Sequence, residues 1–179
     1  MLQDCYPLVV QRLVLGAALL CSGLTAAPVR AYEDQLTLGA GVGYGYSASS
    51  EWPRHAALFD LSASLGLSQA LAVRGHAGYG FHPADEPLHG VVVGGELLYV
   101  IDVVEVVPYF GIGVSGLWRI HGDDVAAAGA AQLAAGVDYH LDRGLALELD
   151  VRPYLLVTDL DREPLFLSVL VAIIWLLDA

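Results

Sequence analysis

Asp60, Arg74, His76, Glu96, Asp138, His140, Glu148, Asp150 and Arg152 are the side chains from which this 179-residue chain could build a polar site. They comprise five carboxylates, two guanidinium groups and two imidazoles. Carboxylates beside imidazoles can hold a proton or a cation, and carboxylates beside guanidinium groups form charge-assisted hydrogen bonds. The acid surplus admits a cation or proton site. The plainer expectation is an ion network that ties an interior together.

Nucleophilic catalysis finds less support. It needs Ser, His and an acid close together. Ser68 with His140, and Ser47 with His82, stand at similar ends of their segments, but no spacing joins either pair, so no enzyme is expected. The row Gly39, Gly41, Gly43 and Gly45 lacks the Gly-x-x-x-x-Gly-Lys pattern of a phosphate loop. Asp159-x-Asp161 lacks the Gly and the distal Glu of a calcium loop. No cofactor and no metal are expected. Glu51, Asp85, Glu86, Asp123, Asp124, Asp159, Asp161 and Glu163 fall in connecting segments and form a solvated anionic rim.

The formal charge is −12, and none of the eight basic residues is lysine. Such a chain has no basic stripe for a phosphate backbone, which argues against nucleic-acid binding. The N-terminal stretch has the layout of a secretory signal peptide. Arg12 precedes an apolar run from Leu13 to Leu24, and small residues at Ala26-Ala27 and Val29-Arg30-Ala31 allow cleavage after Ala27 or Ala31. The run is short of the roughly 20 residues a spanning helix needs. We take residues 1–31 as the signal peptide and 32–179 as one domain. Cleavage after Ala31 moves the charge from −12 to −13, as Asp4, Arg12 and Arg30 leave. It also removes Cys5 and Cys21, the only cysteines, so the mature chain offers no disulfide or thiolate.

The elements that position the ionic residues follow from period-two alternation, the period of a strand. From Leu36 to Tyr46 the even positions are Leu, Leu, Ala, Val, Tyr and Tyr, and the odd ones are Thr and four Gly. Ala57 to Ser68 sets Phe59, Leu61 and Leu65 against Asp60, Ser62 and Ser64. The same reading gives strands over Ala72 to His82, Gly90 to Ile101, Val106 to Trp118, Gly129 to Leu141 and Leu145 to Leu156. An eighth, Phe166 to Trp175, is apolar on both faces. Charged residues within a strand share one parity: Arg74 with His76, Asp138 with His140, and Glu148 with Asp150 and Arg152. A chain that is 56% hydrophobic, without a long apolar helix, can hide its apolar rows in a bilayer as a closed barrel. A charge at mid-bilayer on the lipid face costs roughly 2–4 kcal/mol for Arg, so the ionic parity must face inward.

Connections alternate in length. Short ones are Gln69 to Leu71, Asp102 to Glu105 and Asp142 to Gly144. Longer polar ones are Ser47 to His55, Pro83 to His89, Arg119 to Ala128 and Val157 to Leu165. Aromatic residues form two groups, with Tyr44, Tyr46, Phe59, Tyr79, Phe81, Trp118 and Phe166 near the long loops. Tyr99, Phe110, Tyr139 and Trp175 lie near the short turns. Two girdles at two interfaces are expected of a barrel in lipid.

The leader, the strand Gly39-Ala40-Gly41-Val42-Gly43-Tyr44, the stretch Val107-Pro108-Tyr109-Phe110-Gly111-Ile112-Gly113-Val114 and Ala135-Gly136-Val137-Asp138-Tyr139 resemble the small OmpA/OmpX-type outer-membrane barrels. The resemblance implies an all-β, eight-stranded antiparallel up-and-down transmembrane barrel, exported to the periplasm and assembled in the cell outer membrane. Outer-membrane lipid, lipopolysaccharide and the barrel-assembly machinery are the expected partners, with cation bridges between the acidic loop residues and lipopolysaccharide. One departure is that such chains usually end on an aromatic residue, whereas Trp175 is followed by Leu176-Leu177-Asp178-Ala179. The expected role is structural or surface-interacting, with a filled polar lumen and no open pore. Alternatives are a narrow cation-preferring channel or small-solute transporter, a lipid-modifying outer-membrane enzyme, and a soluble lipocalin-like ligand binder.

Overall fold

The computed structural model describes residues 33–49, 53–84, 87–101, 105–161 and 164–177. The expected signal peptide lies outside the described residues. The chain forms eight strands: β1 (Leu36–Ser47), β2 (His55–Gly66), β3 (Leu71–His82), β4 (Leu88–Val100), β5 (Val106–His121), β6 (Asp124–His140), β7 (Leu145–Leu156) and β8 (Leu165–Leu177). Each pairs antiparallel with the next, and β1 closes on β8 from Leu36↔Leu177 to Ser47↔Phe166. The result is an up-and-down barrel with no open sheet edge, so each strand has a hydrogen-bonding neighbour on both sides.

Alternation fixes the faces. In β1, Leu38, Val42 and Tyr44 are exposed, while Gly39, Gly41 and Gly45 are buried. Across all eight strands the outward rows hold Leu, Val, Ile, Ala, Gly, Pro and aromatic residues, together with His55 and His89. No aspartate, glutamate or arginine stands in an outward row of the described strands. A slip of one residue would exchange every inward and outward side chain, so the charges alone select this register.

Three sequence expectations need correction. The stretch from Arg119 to Ala128 is not a long loop. β5 and β6 continue to His121↔Asp124, and the chain reverses through Gly122-Asp123. Gly122 has φ 57°, the left-handed value that a two-residue turn with glycine in its first central position requires. The extension was hidden because Val125, Ala126 and Ala127 are all exposed, so no buried row marks the strand. Phe166 does not belong to the outer girdle; it is buried in the lumen against Tyr154, with ring centroids 5.6 Å apart. Nor is the lumen polar throughout. In β8 the inward row Phe166, Ser168, Leu170, Ala172 and Ile174 is buried and largely apolar, which explains why that strand is greasy on both faces.

β8 extends past Trp175 to Leu177, with Trp175 outward and paired to Leu38 and Leu145.

The β6–β7 ladder has a gap. Pairing runs from Ala130↔Leu156 to Gln132↔Tyr154 and resumes at Ala135↔Val151 in the same register. Pro153 sits opposite the gap and has no N–H to give. Pro153→Val should restore the missing rungs. The expected result is slower amide exchange at Leu133, read by hydrogen–deuterium exchange, with little change at Ala134, whose amide faces β5.

Candidate functional site in the barrel lumen

The inward residues of β2 to β7 build an ionic belt. Arg74 on β3 is its centre. Its Nε donates to Glu96, its direct cross-strand partner on β4. One terminal nitrogen donates to Glu148 and to the Tyr109 hydroxyl, each at 3.1 Å, and the other donates to Asp150 at 2.6 Å. The guanidinium carbon lies 4.8 Å from the centre of the Tyr109 ring. Arg152 on β7 forms a second centre. It donates to Asp60 at 3.2 Å, and its Nε lies 2.9 Å from Asp150 and 3.8 Å from Glu96. Glu96 and Asp150 therefore each face both arginines, and Tyr109 also donates to Asp150.

A polar arm extends from this belt. The Gln132 amide nitrogen donates to Glu96 at 3.1 Å and stands 3.1 Å from His76 Nε2. On the other side of the ring, His76 Nδ1 lies 3.6 Å from Asp60. Arg74, His76, Glu96, Gln132, Glu148, Asp150 and Arg152 are each at most 4% exposed. Buried charges of this kind persist only with close, hydrogen-bonded partners.

Asp138 borders the Arg74 centre, while His140 lies further toward the turns. Asp138 lies directly opposite Glu148 across the β6–β7 ladder and lines a small cavity of about 20 Å³ with Thr37, Ser64, Tyr109 and Glu148. His140 is half-buried at the turn end of β6, paired with Ala146. The sequence-predicted residues Asp60, Arg74, His76, Glu96, Glu148, Asp150 and Arg152 are thus brought into one connected cluster. Tyr109 and Gln132 complete it. Both share the inward parity of their strands, the one signal in the sequence that marks them.

Apolar layers flank the belt on both sides. Towards the turns lie Ala72, Leu98, Val100, Val107 and Ala134, packed around Tyr109, with Ala146, Ala172 and Ile174 beside them. Towards the loops lie Leu117, Ala128, Ala130, Tyr154, Leu156 and Phe166, with Leu58 and Val92 against them. A chamber of about 50 Å³ runs through that layer, from Asp60 of the belt toward the loop end. Asp60, Leu58, Val92, Leu117, Phe166 and Leu170 line it, with His82 and Arg119 near the loop ends of their strands.

His82 and Arg119 tie down two loops. His82 Nδ1 is 2.9 Å from the Pro53 carbonyl oxygen, and Arg119 donates to Asp159 at 3.1 Å. Asp159 is about a quarter exposed, so water screens this ion pair. Arg119→Ala removes a buried guanidinium and should cost about 1–3 kcal/mol of barrel stability. It should also speed proteolytic cutting within residues 157–161, measured on the folded barrel in detergent. The bond described for His82 goes to a backbone carbonyl, and Ser68 caps its own turn by accepting from the amides of Ala70 and Leu71.

No family model matches the sequence, and no curated protein matches it. Solved structures do share the fold. Neisserial surface protein A (NspA) aligns with a TM-score of 0.69 at 13% identity, covering 78% of this chain and 96% of that one. The N-terminal β-barrel domain of Pseudomonas aeruginosa OprF aligns with a TM-score of 0.60 at 13% identity, over 81% of this chain and 98% of that one. Ail, the attachment invasion locus protein of Yersinia pestis, aligns with a TM-score of 0.60 at 10% identity, over 81% and 99%. The fold is therefore that of the small eight-stranded outer-membrane barrels of the OmpA/OmpX type.

Proposed function

We propose that this chain is an integral outer-membrane barrel with a structural or surface-interacting role, and that its lumen is a plug. The observation that carries the proposal is the ionic belt that crosses the lumen between two apolar layers. An eight-stranded barrel has an interior just wide enough for its side chains to fill. The outward rows supply the bilayer contact: Val42, Ile112, Val114 and Leu133 are each more than half exposed, which a water-soluble barrel would not sustain. That weighs against the lipocalin-like reading. Partners on this proposal are outer-membrane lipid, lipopolysaccharide and the barrel-assembly machinery. The chain is not an enzyme on this reading, so its expression leaves the mass of cellular lipids unchanged.

Two measurements test the proposal. Membrane fractionation should place the chain with the outer membrane, with heat-modifiable mobility on a detergent gel. Planar bilayers containing the purified barrel should stay silent. A second reading, a narrow cation-preferring channel, draws on the five lumen carboxylates facing two arginines and on the cavities at either side of the belt. Steady cation-selective current would favour it and remove the plug.

A further inference from the structure

Two copies of one side-chain module stand on the outer face at the loop end of the barrel. In the first hairpin Tyr46 on β1 pairs directly with His55 on β2, and Tyr44, two residues earlier, hydrogen-bonds His55 Nδ1. In the second hairpin Phe81 on β3 pairs directly with His89 on β4, and Tyr79, two residues earlier, hydrogen-bonds His89 Nδ1 at 2.6 Å. The imidazole lies 5.8 and 5.9 Å from its two aromatic rings in the first module, and 6.0 and 5.7 Å in the second. Register, spacing and bonding are the same.

The chemistry of the module is specific. A phenol is the stronger acid of the two partners, so the tyrosine hydroxyl donates and Nδ1 accepts. The proton of a neutral imidazole then sits on Nε2, and the ring presents a fixed N–H donor. The location is equally specific. His55 and His89 are the only histidines in the outward rows of the described strands, which otherwise carry no charged side chain. Arg74, Arg119 and Arg152 are buried in the lumen, and Arg143 lies in a turn at the opposite end. Arg54, exposed and adjacent to His55, is the one further cation near this rim among the described residues.

We propose that the two Tyr–His modules bind phosphate monoesters borne by membrane lipids, one headgroup per module, at the outer rim of β1 to β4. The aromatic rings sit at the headgroup level while the imidazole N–H reaches a phosphate oxygen. An acidic protein without lysine needs such donors to accept anionic lipid beside an anionic loop rim. This inference rests on the barrel standing in a membrane.

The test uses the purified barrel in detergent, incubated with lipid A, with dephosphorylated lipid A, or with inorganic phosphate. Retained lipid is counted by native mass spectrometry and phosphate contact is read by ³¹P line broadening. Wild type should retain lipid A. Loss of both charge-assisted hydrogen bonds in His55→Gln/His89→Gln should lower retention by about tenfold or more, the single variants falling between. Tyr44→Phe and Tyr79→Phe, which keep the ring and lose its orienting bond, should lower it partially. Equal retention by the double variant, equal retention of dephosphorylated lipid A, or displacement by inorganic phosphate at the concentration of lipid A would overturn the inference. Failure to fractionate with membranes would instead sink the barrel reading. Normal insertion and heat-modifiability with unchanged lipid A retention sinks only the modules.

Discussion

Arg74→Met should destabilise the barrel by about 3–5 kcal/mol, because it removes one side of a buried ion cluster and leaves the other side charged. Arg74 is 3% exposed and donates to Glu96, Glu148, Asp150 and Tyr109. Methionine fills much of the same volume, so lost packing is a minor part of the effect. Arg152 pairs with Asp60 and stands beside Asp150 and Glu96, whereas the hydrogen-bonded ion pair of Glu148 is with Arg74. The variant therefore strands Glu148 beside Asp138, its direct partner across the ladder. Urea titration of barrels in lipid vesicles, followed on a gel without heating, measures the shift. Arg74→Lys should fall between the two, since an ammonium group cannot reproduce the planar fork that meets several carboxylates at once. Adding Glu148→Gln and Asp150→Asn to Arg74→Met should recover a large part of the loss. Recovery identifies uncompensated charge as the cause. A triple variant as unstable as the single one would show that the guanidinium acts through shape, and a single variant as stable as wild type would dissolve the case for a network.

Gly43→Val should block closure of the barrel. Gly43 faces Leu170 across the β1–β8 seam. A Cβ there would run into the Val169 carbonyl oxygen, with the Leu170 Cδ2 and Cα at 2.8 and 2.9 Å. Two of those atoms are backbone and cannot step aside without moving β8. Overpacking in a core costs about 1–3 kcal/mol, and here the strain falls on the pair of strands that seals the cylinder. The expected result is a marked fall in the heat-modifiable, folded fraction after refolding into detergent. Gly75→Ala is the matched control. Gly75 faces outward, and the nearest atom to its Cβ is the Gly94 carbonyl oxygen at 3.9 Å, an ordinary contact. That change should leave folding intact or raise stability by about 0.5–1 kcal/mol, since glycine weakens a strand interior. Equal folding of the two variants would show that the seam is looser than its geometry.

Much of this architecture was legible in the chain itself. Strand number, up-and-down order and inward parity follow from alternation, because lipid penalises every misplaced charge and tolerates one register only. The limits for β7 coincide with those read from the sequence, since a polar turn and a loop bound it. Reading failed where that penalty is absent. Above the apolar band both faces of Asp124 to Ala127 are exposed, so the extension of β5 and β6 leaves no pattern. On β8 both faces are apolar for different reasons, lipid outside and Phe166 packed on Tyr154 inside, and a sequence pattern cannot tell oil from core.

By itself the sequence determined which residues lie inside the cylinder: the parity of Asp60, Arg74, His76, Glu96, Glu148, Asp150 and Arg152 settles that one strand at a time. Only the tertiary structure decided which of them meet. Arg74 reaches Asp150 across 76 positions of chain, and Arg152 reaches Asp60 across 92, because closing β1 on β8 folds distant strands onto a common axis. Period two is a local property written residue by residue, whereas cross-lumen partnership depends on stagger and closure, which belong to the whole barrel.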